Sequence, residues 1–405
     1  MSSNTCQLRE GEGKSLTSAQ KEKLNLLLES FQNVFEPGGE ATHILEHHIN
    51  TRNSPPISVP PYRMSPVKKE ILRKEIEDLL EKDIIEECES PYGAPVVLIT
   101  KPNNQFRLCI DYRKLNEVTV SDTYPLPRMD DLLQEAKRTA YISTIDLKSG
   151  YHQVNVNPAD RDKTAFVCPF GTYWFKRMPF GLKNAPATFQ RLMDIFRRGL
   201  PVLAYLDDII IMSTTLEQHL ADLEAGFKRL MDFKLRANRE KCLFTYSCVK
   251  YLGLWITPQG IEVDHEKTSA ILGIPPPKNV KQLQSFLQTC SWYRKFIANF
   301  SEIAQPLSNL TKKKAFWKWS EEEEKAFQTL KQCLVSPPIL KQADFSKPFL
   351  IRTDASNYAL GAVLLQGEDK EEHPVEFASR LLNPAERNYS TTEREALAVD
   401  WALNK

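Results

Sequence analysis

The stretch PVLAYLDDIIIMS, residues 201–213, sets two adjacent carboxylates, Asp207 and Asp208, inside a run that is otherwise apolar and rich in isoleucine and leucine. Burying a charge is costly unless it is paired or holds a metal, and neighbouring carboxylates repel each other as well. A divalent cation would answer both costs. The stretch therefore asks for more carboxylates elsewhere in the chain, and for a substrate that brings its own negative charge. It reads as two short strands folded back on each other at the aspartate pair. The other reading of the same pair is two exposed turn aspartates.

Upstream, TAYISTIDLKSGYHQVNV (139–156) reads as a strand ending in Asp146, followed by a turn containing Gly150. If the strands carrying Asp146 and Asp207 are neighbours in one sheet, three carboxylates converge at a strand edge and could hold two divalent cations about 3.5–4 Å apart. Hard oxygen ligands and phosphate partners favour Mg2+. Between these strands, MPFGLKNAPATFQRLMDIFRRGL (178–200) is a loop with Gly181 and Asn184, then a helix entered through Pro186. Downstream come an amphipathic helix over 216–233, a strand over 243–246 and another strand in VKYLGLWITPQG (249–260).

The 405 residues carry 53 Lys and Arg against 52 Asp and Glu, a net charge of +1, so no global excess of charge demands a nucleic-acid partner. The local balance differs. Residues 161–198 hold Arg161, Lys163, Lys176, Arg177, Lys183, Arg191, Arg197 and Arg198 against Asp162 and Asp194. That is about +6 in one patch, enough to attract phosphates if the fold gathers it on one face. The length allows two or three domains with proper cores. The eight cysteines are scattered without a C-x-x-C pair, which suits a reducing compartment, and Cys242 with Cys248 is not expected to bind zinc. No signal peptide and no apolar run of roughly 18 residues is found, so an intracellular, soluble protein is expected.

The flanking regions have a plainer pattern. Residues 1–16 are polar and expected to be disordered. Thr17 with Gln20 forms a capping box before a helix whose Leu24, Leu27, Leu28, Phe31 and Phe35 make one stripe. The Pro- and Gly-punctuated connector 38–61 contains His43-x-x-Glu46-His47, an inverted zinc-protease pattern, but lacks the stable helix that chemistry needs and is expected to be solvated or strand-like. A helix is read over 67–87, and two strand-like runs flank Asn103-Asn104 as a hairpin. Beyond Pro275–Pro277 the chain turns helical and aromatic-rich, and from Pro348 it becomes an α/β tail.

Four motifs now stand in order, and together they resemble those of reverse transcriptases. Tyr205-Leu206-Asp207-Asp208 matches the Y-x-D-D motif, and STIDLKSGYHQV (143–154) resembles the first metal-binding motif. RMPFGLKNAPATFQRLMD (177–194) looks like the template-and-nucleotide motif of gypsy-type LTR retrotransposon enzymes, and YLGLWIT (251–257) like their primer grip. The resemblance runs from about Phe35 to the C-terminus. It implies an α/β (α+β) right-hand polymerase, with an N-terminal helix and connector over 1–61, fingers and palm over 62–260, a thumb over 261–315, a connection over 316–346 and a ribonuclease H-like domain over 347–405.

By the same resemblance, Asp146 and Asp207 are the indispensable metal ligands, Asp208 the secondary carboxylate and the Leu147 carbonyl an assisting ligand for two Mg2+ ions, with Mn2+ able to substitute. Lys101 and Arg107 would clamp the incoming dNTP, since cations there neutralise charge building on the leaving group. Tyr151 matches the steric gate against a ribose 2′-hydroxyl, and Phe180 and Gly181 would lie near the nascent base pair. Asn184, Gln190, Tyr251, Leu252 and Gly253 would contact the template–primer. Arg113 and Asn116 are template or structural candidates. Trp292, Tyr293 and Phe296 of the thumb would grip the duplex.

The tail resembles ribonuclease H, with Asp354 and Glu395 matching two of its four carboxylates; the other two have no counterpart before Lys405, so a truncated, inactive tail is expected. No D-[ST]-G protease triplet or integrase zinc finger is found, and the expectation is the polymerase section of a longer pol product. The implied function is RNA-directed DNA synthesis on an RNA template with a DNA primer, in cytoplasmic virus-like particles or the nucleus. The rivals are a non-catalytic nucleic-acid-binding remnant and an RNA-directed RNA polymerase, the latter disfavoured by Tyr151 and by the tail.

Overall fold

Local signals close the first helices where the sequence places them. The computed structural model describes residues 7–100, 106–135, 140–313, 315–367 and 372–405. Helix α1 (Ser18–Ser30) opens with the reciprocal Thr17–Gln20 capping box and buries Leu24 and Leu28. Strand β1 spans Thr42–His47, and helix α2 spans Pro66–Glu81 behind an Ser65 cap. The helix read through to residue 87 stops earlier. Asp83 takes the left-handed conformation (φ 55°), the Ile84 and Asp83 amides donate to the Leu79 and Leu80 carbonyls, and this Schellman closure frees Ile85–Glu87 to form strand β2.

Strands β3 (Ala94–Thr100) and β4 (Phe106–Ile110) form the expected antiparallel pair, with Thr100 opposite Phe106; the Asn103-Asn104 turn lies outside the described residues. Then come helices α3 (Arg113–Val118) and α4 (Met129–Glu135), strand β5 (Tyr141–Asp146) and strands β6 (Val154–Val156), β7 (Phe166–Cys168) and β8 (Gly171–Phe175). Helix α5 (Ala185–Phe196), strands β9 (Val202–Tyr205) and β10 (Asp208–Ser213), helix α6 (Leu216–Asp232) and strand β11 (Leu243–Tyr246) follow.

Contacts divide the chain into two units, Met1–Arg128 with Thr139–Tyr246, and Met129–Arg138 with Ser247–Lys405. In the first, an antiparallel sheet in the order β11-β5-β10-β9 lies beside a five-stranded sheet in the order β2-β8-β7-β3-β4 and a parallel β1-β6 pair. Helix α6 packs on β10 and α5 on β9. Ile209, Ile210 and Ile211 are all buried, so β10 is covered on both faces, and Gly226 of α6 lets the helix approach Ile211 closely. One core joins these elements, from Leu24 of α1 to Phe244 of β11. Residues 7–16 are not disordered: Leu16 and Glu12 are buried against this unit.

Besides α4, the second unit holds a meander of β12 (Val249–Tyr251), β13 (Leu254–Thr257) and β14 (Gly260–Val263). The single strand read over 249–260 is thus a hairpin. Leu252 (φ 50°) and Gly253 (φ 81°) both take positive φ, as a tight two-residue turn requires. Helices α7 (His265–Leu272), α8 (Val280–Trp292), α9 (Phe300–Ile303), α10 (Gln305–Leu310) and α11 (Glu321–Val335) follow. The tail is an antiparallel sheet of β15 (Leu350–Ala355), β16 (Ala359–Gln366) and β17 (His373–Leu381), with helix α12 (Thr391–Leu403) packed on β15 and β16. Among the described residues, no helix is long and apolar enough to cross a membrane.

Candidate active site

The carboxylates meet because β5 and β10 are hydrogen-bonded neighbours. Asp208 stands directly opposite Asp146 in the antiparallel register, a spacing that brings cross-strand Cβ atoms to about 5 Å. Asp207 occupies the tight β9–β10 turn, and its carbonyl accepts from the Leu147 amide at 3.0 Å. The other residue of that turn, Leu206, is left-handed (φ 51°), a conformation that costs a non-glycine residue about 1–2 kcal/mol. On the other side, Gly150 leaves room for the site: a Cβ there would lie 2.8 Å from the Phe189 ring and 3.3 Å from Asp207 Cβ.

Electrostatics follow from this crowding. Loss of solvation, then the charges of Asp207 and Asp146, push the Asp208 carboxyl up to about 6, although part of its side chain reaches solvent. Asp146 is also raised, by burial and by Asp207, against the lowering effect of Lys241, whose Nζ lies 3.3 Å from its Oδ2. Among the described residues, no three His, Cys, Asp or Glu side chains are grouped to hold a metal ion. The donor chemistry still suits a hard divalent cation: Asp146, Asp207 and Asp208 stand at one strand edge, and two of the carboxyls are held above their ordinary range in part by negative neighbours that such an ion would relieve.

Beside the aspartates is an aromatic wall. Tyr151 stacks on Phe180 with ring centroids 5.0 Å apart and leans on Phe189 at 5.4 Å. Burial, then Asp207 and Tyr205, push the Tyr151 hydroxyl up to about 12. The Arg107 guanidinium caps the Phe180 ring at 4.8 Å, so Arg107, Tyr151 and Phe180 form one surface. Gly181 (φ 94°) follows, and its carbonyl accepts from Asn116 Nδ2 while the Lys183 amide donates to Asn116 Oδ1. Asn116 is therefore a latch for this loop. Arg107, Phe180 and Gly181 also line a cleft of 560 Å³ with Glu75 and His152. Lys101 lies outside the described residues.

Several expected contacts take other roles. Asn184 accepts from the Asp122 amide and donates to the Val120 carbonyl, so both ends of its amide hold the backbone rather than face a template. Gln190 is fully buried; its Oε1 accepts from the Leu206 amide at 3.0 Å, and its Nε2 donates to Asp194 at 3.2 Å. It braces the Asp207 turn from behind. Tyr251 is buried, which leaves Leu252 and Gly253 as the partly exposed tip of their hairpin. Of the three aromatics expected to grip the duplex, Trp292, Tyr293 and Phe296, only Trp292 is exposed; the other two are packed inside their unit. Arg113 is spent on Asp111, through bonds of 2.8 and 2.6 Å.

The basic patch is similarly consumed. Arg161, Lys163, Lys176, Arg191 and Arg197 pair with Glu86, Asp160, Asp83, Asp122 and Asp194. Its excess charge is largely answered within the fold, mostly by acids distant in sequence. His43 and Glu46 lie on strand β1 and not on a helix, and His47 is buried in a 2.8 Å hydrogen bond with Thr188, so the inverted zinc pattern does not form. In the tail, Asp354 lies exposed on β15 and Glu395 half-buried on α12, two elements that pack together. The residues missed by sequence reasoning are Gln190 in its bracing role, Lys241 and Asn238, whose amide donates to the Asp146 carbonyl at 2.8 Å. Only Gln190 carried a signal: a polar residue in a helix otherwise buried around most of its girth.

Comparison with known proteins bears on these features. Residues 99–256 match the family described as reverse transcriptase (RNA-dependent DNA polymerase), and residues 319–405 the RNase H-like domain found in reverse transcriptase. The chain is 41% identical over 392 residues to the retrovirus-related Pol polyprotein from transposon 297 of Drosophila melanogaster, covering 94% of this chain and 37% of that protein. It is 38% identical over 378 residues to the Pol polyprotein from transposon gypsy of the same organism, covering 88% and 36%. The chain thus spans less than half the length of these relatives. Among solved structures, a foamy viral protease-reverse transcriptase (dRH) in complex with double-stranded DNA superposes with a TM-score of 0.88 at 26% identity, covering 96% of this chain and 69% of the other. The foamy viral protease-reverse transcriptase in complex with an RNA/DNA hybrid gives 0.82 at 26%, covering 96% and 53%.

Proposed function

We propose that this chain, which is similar to the reverse transcriptase and ribonuclease H sections of retrotransposon Pol polyproteins, is an RNA-directed DNA polymerase, adding dNTPs to a DNA primer on an RNA template. The observation that carries the reading is the register of β5 against β10, which sets Asp146 opposite Asp208 with Asp207 in the adjoining turn. In this reading Asp146 and Asp207, with the Leu147 carbonyl, hold two divalent cations, Mg2+ or Mn2+, and Asp208 supports them. When bound, those ions supply the positive charge that lets a primer 3′-hydroxyl attack an α-phosphate and pyrophosphate leave.

The chain's own residues supply position. Arg107, together with Lys101, neutralises the triphosphate. Tyr151, fixed between Phe180 and Phe189, presents a rigid ring where a ribose 2′-hydroxyl would fall, which favours deoxynucleotides. Gly181 allows the nascent base pair to approach the backbone. Leu252 and Gly253 at their hairpin tip contact the primer. Residues 62–260 form the fingers and palm, residues 261–315 the thumb and 316–346 a connection. The setting is the interior of the cell, in particles or the nucleus where such elements copy their RNA.

Primer extension by the purified chain on poly(rA)–oligo(dT) with Mg2+ and dTTP tests this. Asp207→Asn is expected to remove at least about a thousandfold of rate, roughly 4 kcal/mol of transition-state stabilisation, with the fold intact. Asp208→Asn should cost less. A folded wild type that binds template–primer but does not extend it would make the chain a nucleic-acid-binding remnant.

A further inference from the structure

The Asp146 side of the site is held from behind by a part of the chain remote in sequence. Asp146 ends β5, and its carbonyl accepts from the Asn238 amide at 2.8 Å. The same short segment, residues 238–242, folds into a turn in which the Lys241 and Cys242 amides donate to the Asn238 carbonyl, and it presents Lys241 to the Asp146 carboxylate at 3.3 Å. The segment lies between the Leu147–Ala237 bridge and strand β11, and it is tied as well to the stretch 7–12 at the other end of the unit's sequence.

Three residues of that stretch, Gln7, Arg9 and Glu12, make the anchor. Glu12, whose side chain is fully buried, accepts from Arg239 in a two-pronged pair at 2.7 and 3.1 Å, and Arg239 is itself only 5% exposed. Arg239 also donates to the Gln7 carbonyl at 2.7 Å and lies over the Phe244 ring at 4.9 Å. Arg9 bridges the two sides: it donates to the carbonyls of Glu240 and Cys242 and to Glu12. The Arg9 amide closes the loop onto Glu12 at 2.7 Å. A buried, bidentate, charge-assisted pair has one satisfactory geometry, so it fixes both partners rather than merely attracting them.

We propose that residues 7–12 are a clamp that positions the Asp146 end of the active site, acting through residues 238–242. Arg9, Glu12 and Arg239 are positioning residues; none of them touches substrate. Because Asp146 must hold its oxygens in a fixed place for catalysis, freedom in the 238–242 turn becomes freedom in Asp146. The effect on rate rests on the polymerase reading above, whereas the effect on backbone order does not.

Hydrogen–deuterium exchange and primer extension on the full chain test the clamp together, with Glu12→Gln and Arg9→Ala compared with wild type. Arg9→Ala leaves the buried Glu12–Arg239 pair in place and serves if Glu12→Gln does not fold. Amides of residues 238–246 and of the end of β5 should exchange at least about tenfold faster in the variants, with α2 and α6 unchanged. The rate constant for extension should fall at least about tenfold while template–primer affinity stays within about twofold, and Glu12→Asp should recover part of the loss. Unchanged exchange over 238–246 in a folded variant would overturn the clamp, whether or not the wild type polymerises. So would a rate loss no larger than the fraction of protein unfolded.

Discussion

Gln190 gives up nothing to solvent. Buried on α5, it offers Oε1 to the amide of Leu206 and Nε2 to Asp194, whose other oxygen accepts from the Tyr124 hydroxyl at 2.6 Å. Leu206 needs the support, since it is the left-handed residue of the turn that carries Asp207. Replacing Gln190 with Leu strips that amide of its acceptor, and a buried unsatisfied amide costs about 1–3 kcal/mol. Denaturant unfolding of Gln190→Leu should show a loss in that range. Single-turnover extension should slow by about ten- to a hundredfold at unchanged template–primer affinity, since the turn is loosened rather than the binding surface. A variant weakened only in template–primer affinity would restore Gln190 to the contact role first expected of it.

At the scale of elements, the site depends on how closely α5 and the turn after β5 approach. Gly150 marks that contact, with the Phe189 ring on one side and Asp207 on the other. Gly150→Ala inserts a methyl group where the ring already lies within 2.8 Å, and overpacking of this kind costs about 1–3 kcal/mol. The strain must be relieved by moving α5 or the Asp207 turn. Extension is therefore expected to fall by at least about tenfold, with thermal unfolding also shifted down. Wild-type rates in Gly150→Ala would mean that the turn accommodates the methyl without moving Asp207. In the second unit a comparable fit joins residues 294–301 to the tail: Asn299 fills the space over Gly361, Arg294 donates to the Ser379 carbonyl, and the Ser301 amide donates to Ser379 Oγ. The sheet of the tail thereby supports the expected thumb segment whatever its own chemistry.

Across the whole molecule, titration should shape stability. His47, His152 and His219 are each depressed to about 4, burial being the main cause in all three. Each stays neutral in the fold where the unfolded chain takes a proton near 6.5. Their contribution is therefore complete above about 6.5 and lost as pH falls toward 4, with a slope of at most about 1.4 kcal/mol per pH unit for each. Asp208, raised to about 6, and Asp146, also raised, work in the opposite direction, two groups against three. Glu12 acts only in stronger acid: burial works to raise its carboxyl, but hydrogen bonds from Arg239 and Arg9 outweigh it and hold it below the ordinary range. Urea midpoints measured from pH 7.5 down to 4.5 should fall steadily, and a flat profile between 7 and 5 would contradict neutral, buried histidines.

The sequence by itself determined what depends on neighbours along the chain. The Thr17–Gln20 box, the Pro186 entry to α5, the β3–β4 pairing and the fold-back at Asp207 were all legible, because caps, turns and periodicity are short-range. The ordered motifs around Asp146, Asp207 and Asp208 were legible for the same reason. Where α2 ends was less so, since Asp83 in a left-handed closure gives no strong signal. The tertiary structure decided which distant groups meet. The pairing of Asp146 with Asp208 is a matter of strand register; the partners of Gln190, Arg239 and the basic residues of 161–198 are matters of burial. A polar or charged side chain taken out of water must find a partner wherever the fold supplies one, and for those residues most of the partners lie far away in sequence.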